Sequence, residues 1–327
     1  SVPREELERL KTTPATALGT SRDALDAEDY RRMAEILKAH DIRFVLMNGG
    51  NGTMDACGRL EAACRGTGIR VMGIPKTMDN DIAVTDHCPG FGSVARYMAG
   101  TIRELGVDVR SLPIHVVVVE ALGRNAGWTT AAAALAREQD EDAPHLLYPP
   151  ERPFVEEEFL EETAAMQRQY GGVVIVASEG LHGADGKPIV EPIFQTGRST
   201  YFGDVSSHLA QLVVRRLGIK ARSEKPGILA RASIAWQSPV DAAEAEEAGR
   251  AACRAALAGE SGKMVAFRRL PGKEYRCETF LAPIEQVMLG ERTMPAEYLS
   301  GSGVTKEFID WCRPLIGPEL PRMARLF

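Results

Sequence analysis

Two aspartates separated by one residue, Asp79 and Asp81, close the stretch Gly73-Ile-Pro-Lys-Thr-Met-Asp-Asn-Asp81, with Lys76 and Thr77 just before them. These residue types suit transfer of an anionic group to a hydroxyl. One carboxylate can accept the proton of a hydroxyl nucleophile, and its neighbour can hold a metal or steer the first. Lys76 can hold a phosphate as a point charge. The apolar run Ile69–Met72 precedes the stretch. It predicts a strand whose carboxyl end delivers both aspartates to a loop, and in an open α/β sheet that edge is where ligands bind. Taken alone, an Asp-Asn-Asp is more often a solvated acidic turn.

A second stretch weighs against the solvated turn. Asn48-Gly-Gly-Asn-Gly-Thr53 follows the apolar run Phe44–Met47 and precedes Met54, Cys57 and Leu60 at helical spacing. This predicts a buried strand, a Gly-rich turn and a helix N-terminus, whose outward N–H groups favour phosphate. Gly-rich turns are common. Placed one βα unit before the Lys-Thr-x-Asp-x-Asp loop, this one becomes specific.

The elements that must carry these loops alternate along the chain. Glu5–Lys11 reads as a helix end and Leu18–Arg22 as a strand end and turn. Asp26–His40 is helical, with Tyr30, Met33, Ile36 and Leu37 on one face, and Met54–Arg65 is helical up to Gly66–Gly68. Arg70–Ile74 is a strand. Ser93 can cap a helix in which Val94, Tyr97, Met98, Thr101, Ile102 and Leu105 keep a 3.6 period. His115–Val119 and Val173–Ala177 read as strands buried on both faces of a parallel sheet. Gly127–Gln139 predicts an Ala-rich helix, Ala143–Leu147 a short strand, and Val155–Gln169 an acidic amphipathic helix. Asp185-Gly186 predicts a hairpin turn, and Asp204 a cap for a helix through Leu217. Ile219–Arg222 and Lys263–Arg268 read as strands, Pro239–Gly259 and Thr305–Leu315 as helices. Alternation of this kind predicts a mostly parallel, doubly wound α/β architecture.

Composition narrows the function classes. The chain has 327 residues, enough for two domains or one large one, with 44% hydrophobic and 26% charged residues. A net charge of −6 argues against a broad nucleic-acid surface. No apolar run approaches the ~18 residues of a membrane helix, and polar, charged Ser1–Lys11 shows no signal peptide. The six cysteines form no Cys-x-x-Cys pair, and with six scattered histidines they predict no zinc site. Reduced thiols in a cytoplasmic protein are the expectation.

Three later stretches follow in order: Glu120-Ala-Leu-Gly-Arg-Asn-Ala-Gly-Trp128, Ser178-Glu-Gly180, and Arg222 with Pro226-Gly-Ile-Leu-Ala-Arg231. With the two loops above, they resemble the phosphofructokinase family, which phosphorylates the 1-hydroxyl of fructose 6-phosphate. The resemblance runs from Leu18 to about Gly317. It implies two doubly wound lobes that exchange segments, with the active site in the cleft between them. The donor lobe would take 14–110 plus roughly 234–285, and the sugar-phosphate lobe 111–233 plus roughly 286–327. In the family an N-terminal strand and a first Gly-rich loop, on the order of 60–80 residues, come before the start of this chain. The donor lobe is therefore expected to be N-terminally incomplete, in a fragment or a shortened relative.

The resemblance also implies roles. Asp79 would orient and deprotonate the sugar hydroxyl. Asp81 would be a second carboxylate for sugar or metal, Thr77 a hydrogen bond to sugar or phosphate, and Lys76 a charge on the transferring group. Leu122, Gly123 and Arg124 would line the phosphoryl and the sugar, with Leu122 where the family has Met. Glu179 would bind sugar hydroxyls, and Arg222 and Arg231 would grip the 6-phosphate. Ile228 stands where the family has a His, and His115 where a neighbouring subunit often supplies an Arg. Arg22, Gly50, Gly52 and Thr53 would meet the donor phosphates. Asn51 replaces an Asp that helps hold Mg²⁺, and a neutral amide attracts that cation less. Asp55, one turn on, is better read as a solvated residue favouring the helix dipole. Gly52 permits ATP, Lys76 matches the pyrophosphate-using branch, and the surrounding text favours pyrophosphate. A homo-oligomer, dimer or tetramer, is implied. The alternatives are an ATP-dependent enzyme, the same chemistry on another sugar phosphate such as sedoheptulose 7-phosphate, and a non-catalytic sugar-phosphate-binding subunit or inactive fragment.

Overall fold

The computed structural model describes residues 2–14, 16–17, 19–21, 23–112, 115–196 and 199–324. A short helix α1 (Arg4–Arg9) is followed by α2 (Ala27–Ala39), whose N-cap Asp26 accepts the N–H groups of Glu28 and Asp29 in a capping box. Next come β1 (Phe44–Gly49), α3 (Asn51–Cys64), β2 (Arg70–Pro75), α4 (Phe91–Ser111) and β3 (Val116–Ala121). They are followed by α5 (Trp128–Ala132), β4 (Leu146–Tyr148), α6 (Glu156–Tyr170), β5 (Val173–Ser178), β6 (Pro192–Thr196) and β7 (Ser199–Phe202). The chain continues through α7 (Val205–Leu217), β8 (Ala221–Glu224), α8 (Ile228–Ala232), α9 (Pro239–Leu257), β9 (Lys263–Arg269) and β10 (Cys277–Pro283). It closes with β11 (Leu299–Ser300), β12 (Gly303–Val304) and α10 (Lys306–Cys312). Two compact units result, Ser1–Phe91 with Pro239–Arg292, and Gly92–Ser238 with Thr293–Phe327.

The first unit holds a four-stranded sheet in the order β1-β2-β9-β10. β1, β2 and β9 run parallel, with Phe44 opposite Arg70 and Gly73 opposite Met264, while β10 returns antiparallel to β9. Tyr30 and Ala34 of α2 and Met54, Cys57 and Leu60 of α3 build one core with Val71 and Met264. The alanines of α9 at 248, 251, 252, 255 and 256 pack with Met72, Val265 and Phe267 in another. Small side chains let that helix lie close to the strands. β1 departs from the buried strand expected of its apolar run. It is an edge strand, so Phe44 and Leu46 remain 45% and 40% exposed.

The second unit holds a fully parallel sheet in the order β4-β5-β3-β8. Its two central strands, Val-Val-Val-Val-Glu-Ala and Val-Val-Ile-Val-Ala-Ser, are buried throughout. β-branched runs of this kind fit a sheet covered on both faces. Phe159, Leu160, Leu209 and Val213 of α6 and α7 cover it. Asp204 caps α7 by accepting the Ser207 N–H, as its position predicts. Two readings are corrected here. The Ala-rich helix ends early, turning to a 3-10 segment at Ala133–Ala136, because the N–H groups of Glu138 and Gln139 donate to the Asp142 carboxylate instead of an α-helix. Ser93 lies inside α4, which starts at Phe91, and its hydroxyl accepts the Ser238 N–H. Among the described residues no helix is long and apolar enough to cross a membrane, and all six cysteines are free.

Candidate active site

In the first unit the turn after β1 and the loop after β2 are bonded side by side. The Lys76 N–H donates to the Gly49 carbonyl at 2.9 Å. Gly49 has no room for a side chain, since a Cβ there would lie 2.1 Å from Thr53 Oγ1. Gly50 is the N-cap of α3 in an extended conformation, with no side-chain cap, and the first turn of α3 carries no acidic residue. The helix's positive end therefore keeps N–H groups that no side chain neutralises, the arrangement that binds phosphate oxygens. A Cβ on Gly52 would meet nothing within 4 Å, so the chain leaves open space over that end. Arg22, expected beside the donor phosphates, lies outside the described residues.

The aspartate loop is set by its own backbone. Thr77 donates its N–H to the Pro89 carbonyl at 3.1 Å, and its Oγ1 accepts the Asp79 N–H at 3.1 Å. Asn80 takes a left-handed φ of 57°, a conformation asparagine tolerates better than most residues, and its buried Oδ1 accepts the Cys88 N–H at 2.9 Å. Half-buried Asp79 and Asp81 flank that turn. Asn51 Nδ2 donates to Asp81 twice, to Oδ2 at 2.9 Å and to the carbonyl at 3.2 Å. Asn51 Oδ1 and Asp81 Oδ1 are both buried without a hydrogen-bond partner. Two such oxygens beside an anion-binding helix end are a donor set of the hard type that Mg²⁺ prefers. Asp55 does not join them. Half-exposed, it accepts the Leu289 N–H through Oδ1 at 2.8 Å. Lys76 is exposed and makes no ion pair among the described residues.

Sequence reasoning missed the groups behind this loop. Arg292 donates from Nε and Nη2 to the Asn80 carbonyl and from Nη1 to the carbonyls of Thr85 and Asp86. Asp241 accepts the Gly90 N–H at 2.8 Å, and His87 is buried between Asp86 and Glu244. The Thr85-Asp-His-Cys-Pro-Gly-Phe-Gly92 text reads as a turn and does not show what faces it.

In the second unit the carboxyl ends of β3 and β5 carry the other candidates. Gly123, at φ 112°, donates its N–H to Glu179 Oε1 at 3.3 Å, and the Ser178 hydroxyl donates to the Gly123 carbonyl at 3.1 Å. A Cβ on Gly180 would sit 1.5 Å from the Arg124 carbonyl oxygen, so Ser178-Glu-Gly180 and Leu122-Gly-Arg124 are in direct contact. Half-buried Glu151 closes the loop's far end by accepting the Gly127 N–H at 2.8 Å, and desolvation of its carboxyl pushes it above the usual range. Arg124 is exposed and makes no ion pair among the described residues, a guanidinium free to take a bidentate anion.

The remaining arginines lie on β8 and α8. Arg222 pairs in register with Val117, four residues before Ala121, which is about 13 Å along the strand from the carboxyl edge. It lines a groove of about 460 Å³ between β8 and α7. Arg231 lies exposed in the last turn of α8, after Ile228 and Leu229 that are 68% and 69% exposed. Glu120, at 3% exposed, holds Lys225 at 2.7 Å and accepts the Ser206 N–H, which ties the segment between the two arginines to β3 and α7.

Comparison with known proteins completes the description. The family model "Phosphofructokinase" matches residues 1–256. A pyrophosphate--fructose 6-phosphate 1-phosphotransferase of Xanthomonas campestris pv. campestris (strain B100) is 37% identical over 326 residues, covering 95% of this chain and 78% of the relative. A sulfofructose kinase of Alkalicoccus urumqiensis is 31% identical, covering 98% and 83%. The crystal structure of a pyrophosphate-dependent phosphofructokinase from Marinobacter aquaeolei superposes with a TM-score of 0.87 at 34% identity, covering 99% of this chain and 81% of that one.

Proposed function

The chain belongs to the phosphofructokinase family, and we propose that it transfers a phosphoryl group from pyrophosphate to the 1-hydroxyl of fructose 6-phosphate, giving fructose 1,6-bisphosphate. One observation carries this reading. The Lys76–Gly49 and Asn51–Asp81 bonds hold a pair of aspartates against an uncapped helix N-terminus, so a base stands beside a phosphate cradle.

Asp79 accepts the proton of the sugar hydroxyl and aligns its oxygen on phosphorus. Its backbone is fixed by Thr77 Oγ1 and by the Asn80 turn, so the alignment costs little motion. The backbone N–H groups of Gly50, Asn51 and Gly52 bind donor oxygens, beside Thr53 whose own N–H is held by the Gly50 carbonyl, with Arg22 assigned to the same phosphates, and Lys76 neutralises charge that develops on the bridging oxygen. Asn51 and Asp81, each with an unpartnered oxygen, would hold Mg²⁺, which draws charge off the donor phosphates when bound. Leu122, Gly123 and Arg124 line the sugar and the transferring group, and Glu179 takes sugar hydroxyls. Arg231 binds the 6-phosphate. Arg222, on the edge strand β8 and turned to the groove beside α7, supports a homo-oligomer in which it serves a neighbouring copy.

A second acceptor is favoured by one position. The exposed apolar Ile228 sits three residues before Arg231, where it alters how the distal anion of the sugar is held, and the sulfofructose kinase relative fits such an altered site. Coupled assay of fructose 6-phosphate with pyrophosphate and with ATP, both with Mg²⁺, tests the proposal. Turnover with pyrophosphate at least about 10-fold faster than with ATP is expected. Turnover with ATP alone would reassign the donor. Binding of the sugar phosphate without turnover on either donor would leave a sugar-phosphate-binding subunit.

A further inference from the structure

His87 is 2% exposed, and each of its ring nitrogens meets a carboxylate: Nδ1 lies 2.9 Å from Asp86 Oδ1 and Nε2 2.8 Å from Glu244 Oε2. Ionised carboxylates only accept, so both nitrogens must donate, and only the protonated ring carries two donors. The ring stacks on Phe267 with centroids 5.1 Å apart. The charged groups around it come from every neighbouring element. α9 supplies Glu244 and Asp241. β9 supplies Arg269, whose Nη2 lies 3.2 Å from Asp86 Oδ1. The stretch before β10 supplies Tyr275, whose hydroxyl donates to Glu244 Oε1 at 2.6 Å. β10 supplies Cys277, and Arg292 closes the set on the Asp86 carbonyl.

We propose that His87 is a positioning residue for the aspartate loop: its buried imidazolium clamps Asp86 to Glu244, and the setting of Asp79 and Asp81 depends on that clamp. The inference rests on the phosphotransferase reading above. The route is short. Cys88, next in the chain, donates its N–H to the side chain of Asn80, the residue between the two aspartates. Arg292 ties the Asn80 carbonyl to those of Thr85 and Asp86, and its own N–H donates to the Asp81 carbonyl at 2.8 Å. Residues 79–81 are thus held through residues 85–88, and His87 is what fixes the latter to α9. A neutral ring could donate to only one carboxylate. The other would then face a lone pair and be driven off, taking the loop with it. Burial favours that neutral ring, but the hydrogen bonds to Asp86 and Glu244 outweigh it and hold the imidazole above its ordinary range. Cys277 Sγ lies with His87 and Glu244 within 4.8 Å, but both ring nitrogens are already bonded to carboxylates, so a proton holds this group together.

Glu244→Gln tests the clamp, because it keeps the shape and a partner for Tyr275 while removing one charge. In the full chain with ¹³C-labelled histidine, the His87 titration should move to lower pH by about one unit or more. The alkaline limb of kcat should move with it, while KM for sugar phosphate and pyrophosphate changes less than about 3-fold. His87→Gln, checked for folding by its melting curve, should lower kcat by about 10-fold or more with the same small change in KM. A His87 that titrates at or below the ordinary histidine value, or a kcat profile unmoved by Glu244→Gln, overturns the proposal. The titration reads the clamp without turnover, so a chain inactive on fructose 6-phosphate would refute the proposed function and leave His87 to be judged by the titration.

Discussion

Asn51 and Asp81, 30 residues apart, are joined by hydrogen bonds from one amide nitrogen to a carboxylate oxygen and a carbonyl, and each keeps its side-chain Oδ1 buried and unpartnered. A buried unpaired oxygen is costly unless something binds it. The Asn51 amide N–H bonds the other carboxylate oxygen, Oδ2, and offsets charge there that a second acid could not.

Asn51→Asp should therefore have opposite effects with and without metal. Two carboxylates in contact repel when no cation is present. The melting temperature in a chelator should fall by about 4 °C or more, equivalent to roughly 1 kcal/mol. The Mg²⁺ concentration for half-maximal rate should drop by about 10-fold, since charge attracts a hard cation. A titration of rate against Mg²⁺ that moves the other way would remove Asn51 from the metal site.

Gly180→Ala should be far more damaging than its size suggests. The added methyl meets the Arg124 carbonyl oxygen at 1.5 Å, a backbone atom that cannot turn aside. One of the two loops must shift, which displaces Arg124 and Glu179 together. A loss of about 100-fold in kcat/KM for the sugar phosphate is expected, read by steady-state kinetics, with KM for pyrophosphate much less affected.

Gly52→Asp makes the opposite case. A Cβ there meets nothing within 4 Å, so the melting temperature should stay within about 2 °C. The new carboxylate would stand in the space over the α3 terminus and exclude a nucleotide. Any ATP turnover should disappear while pyrophosphate turnover survives within about 10-fold. Retained ATP turnover would show that the donor does not pass over Gly52.

Stability should also follow the protonation of His87. Its value in the folded chain is raised above the ordinary 6.5, so it contributes stability that is fully present below about 6.5 and lost as pH rises through the higher folded value. Urea unfolding at a series of pH values should show a decline on the alkaline side for the wild type. That decline should be weaker in His87→Gln.

The sheet centres and the two loops of the first unit could be read directly, because Val116–Val119 and Val173–Val176 are unbroken β-branched runs and the loops carry glycines and charges at fixed spacing. Elements whose signal is weaker escaped. β10 follows β9 with no helix between them, and its Cys-Glu-Thr-Phe-Leu-Ala-Pro text lacks the run of a central strand. The β6–β7 hairpin was hidden in a Gly- and Pro-containing stretch. The clamp on the aspartate loop could not be read at all. Glu244 lies 157 residues from His87, and a glutamate on an Ala/Glu-rich helix looks like a solvated one until the fold turns it inward. β1 shows the reverse error, because an apolar run records hydrophobicity and not whether a strand has neighbours on both sides.

The measurement that bears most directly on the central claim is single-turnover kinetics of Asp79→Asn with fructose 6-phosphate, pyrophosphate and Mg²⁺. Asparagine keeps the shape and the Thr77 bond to the backbone N–H but cannot take a proton. The rate of the chemical step should fall by about 10³-fold or more, while equilibrium binding of both substrates stays within about 3-fold. A chemical step within about 10-fold of wild type would contradict the assignment of Asp79 as the base.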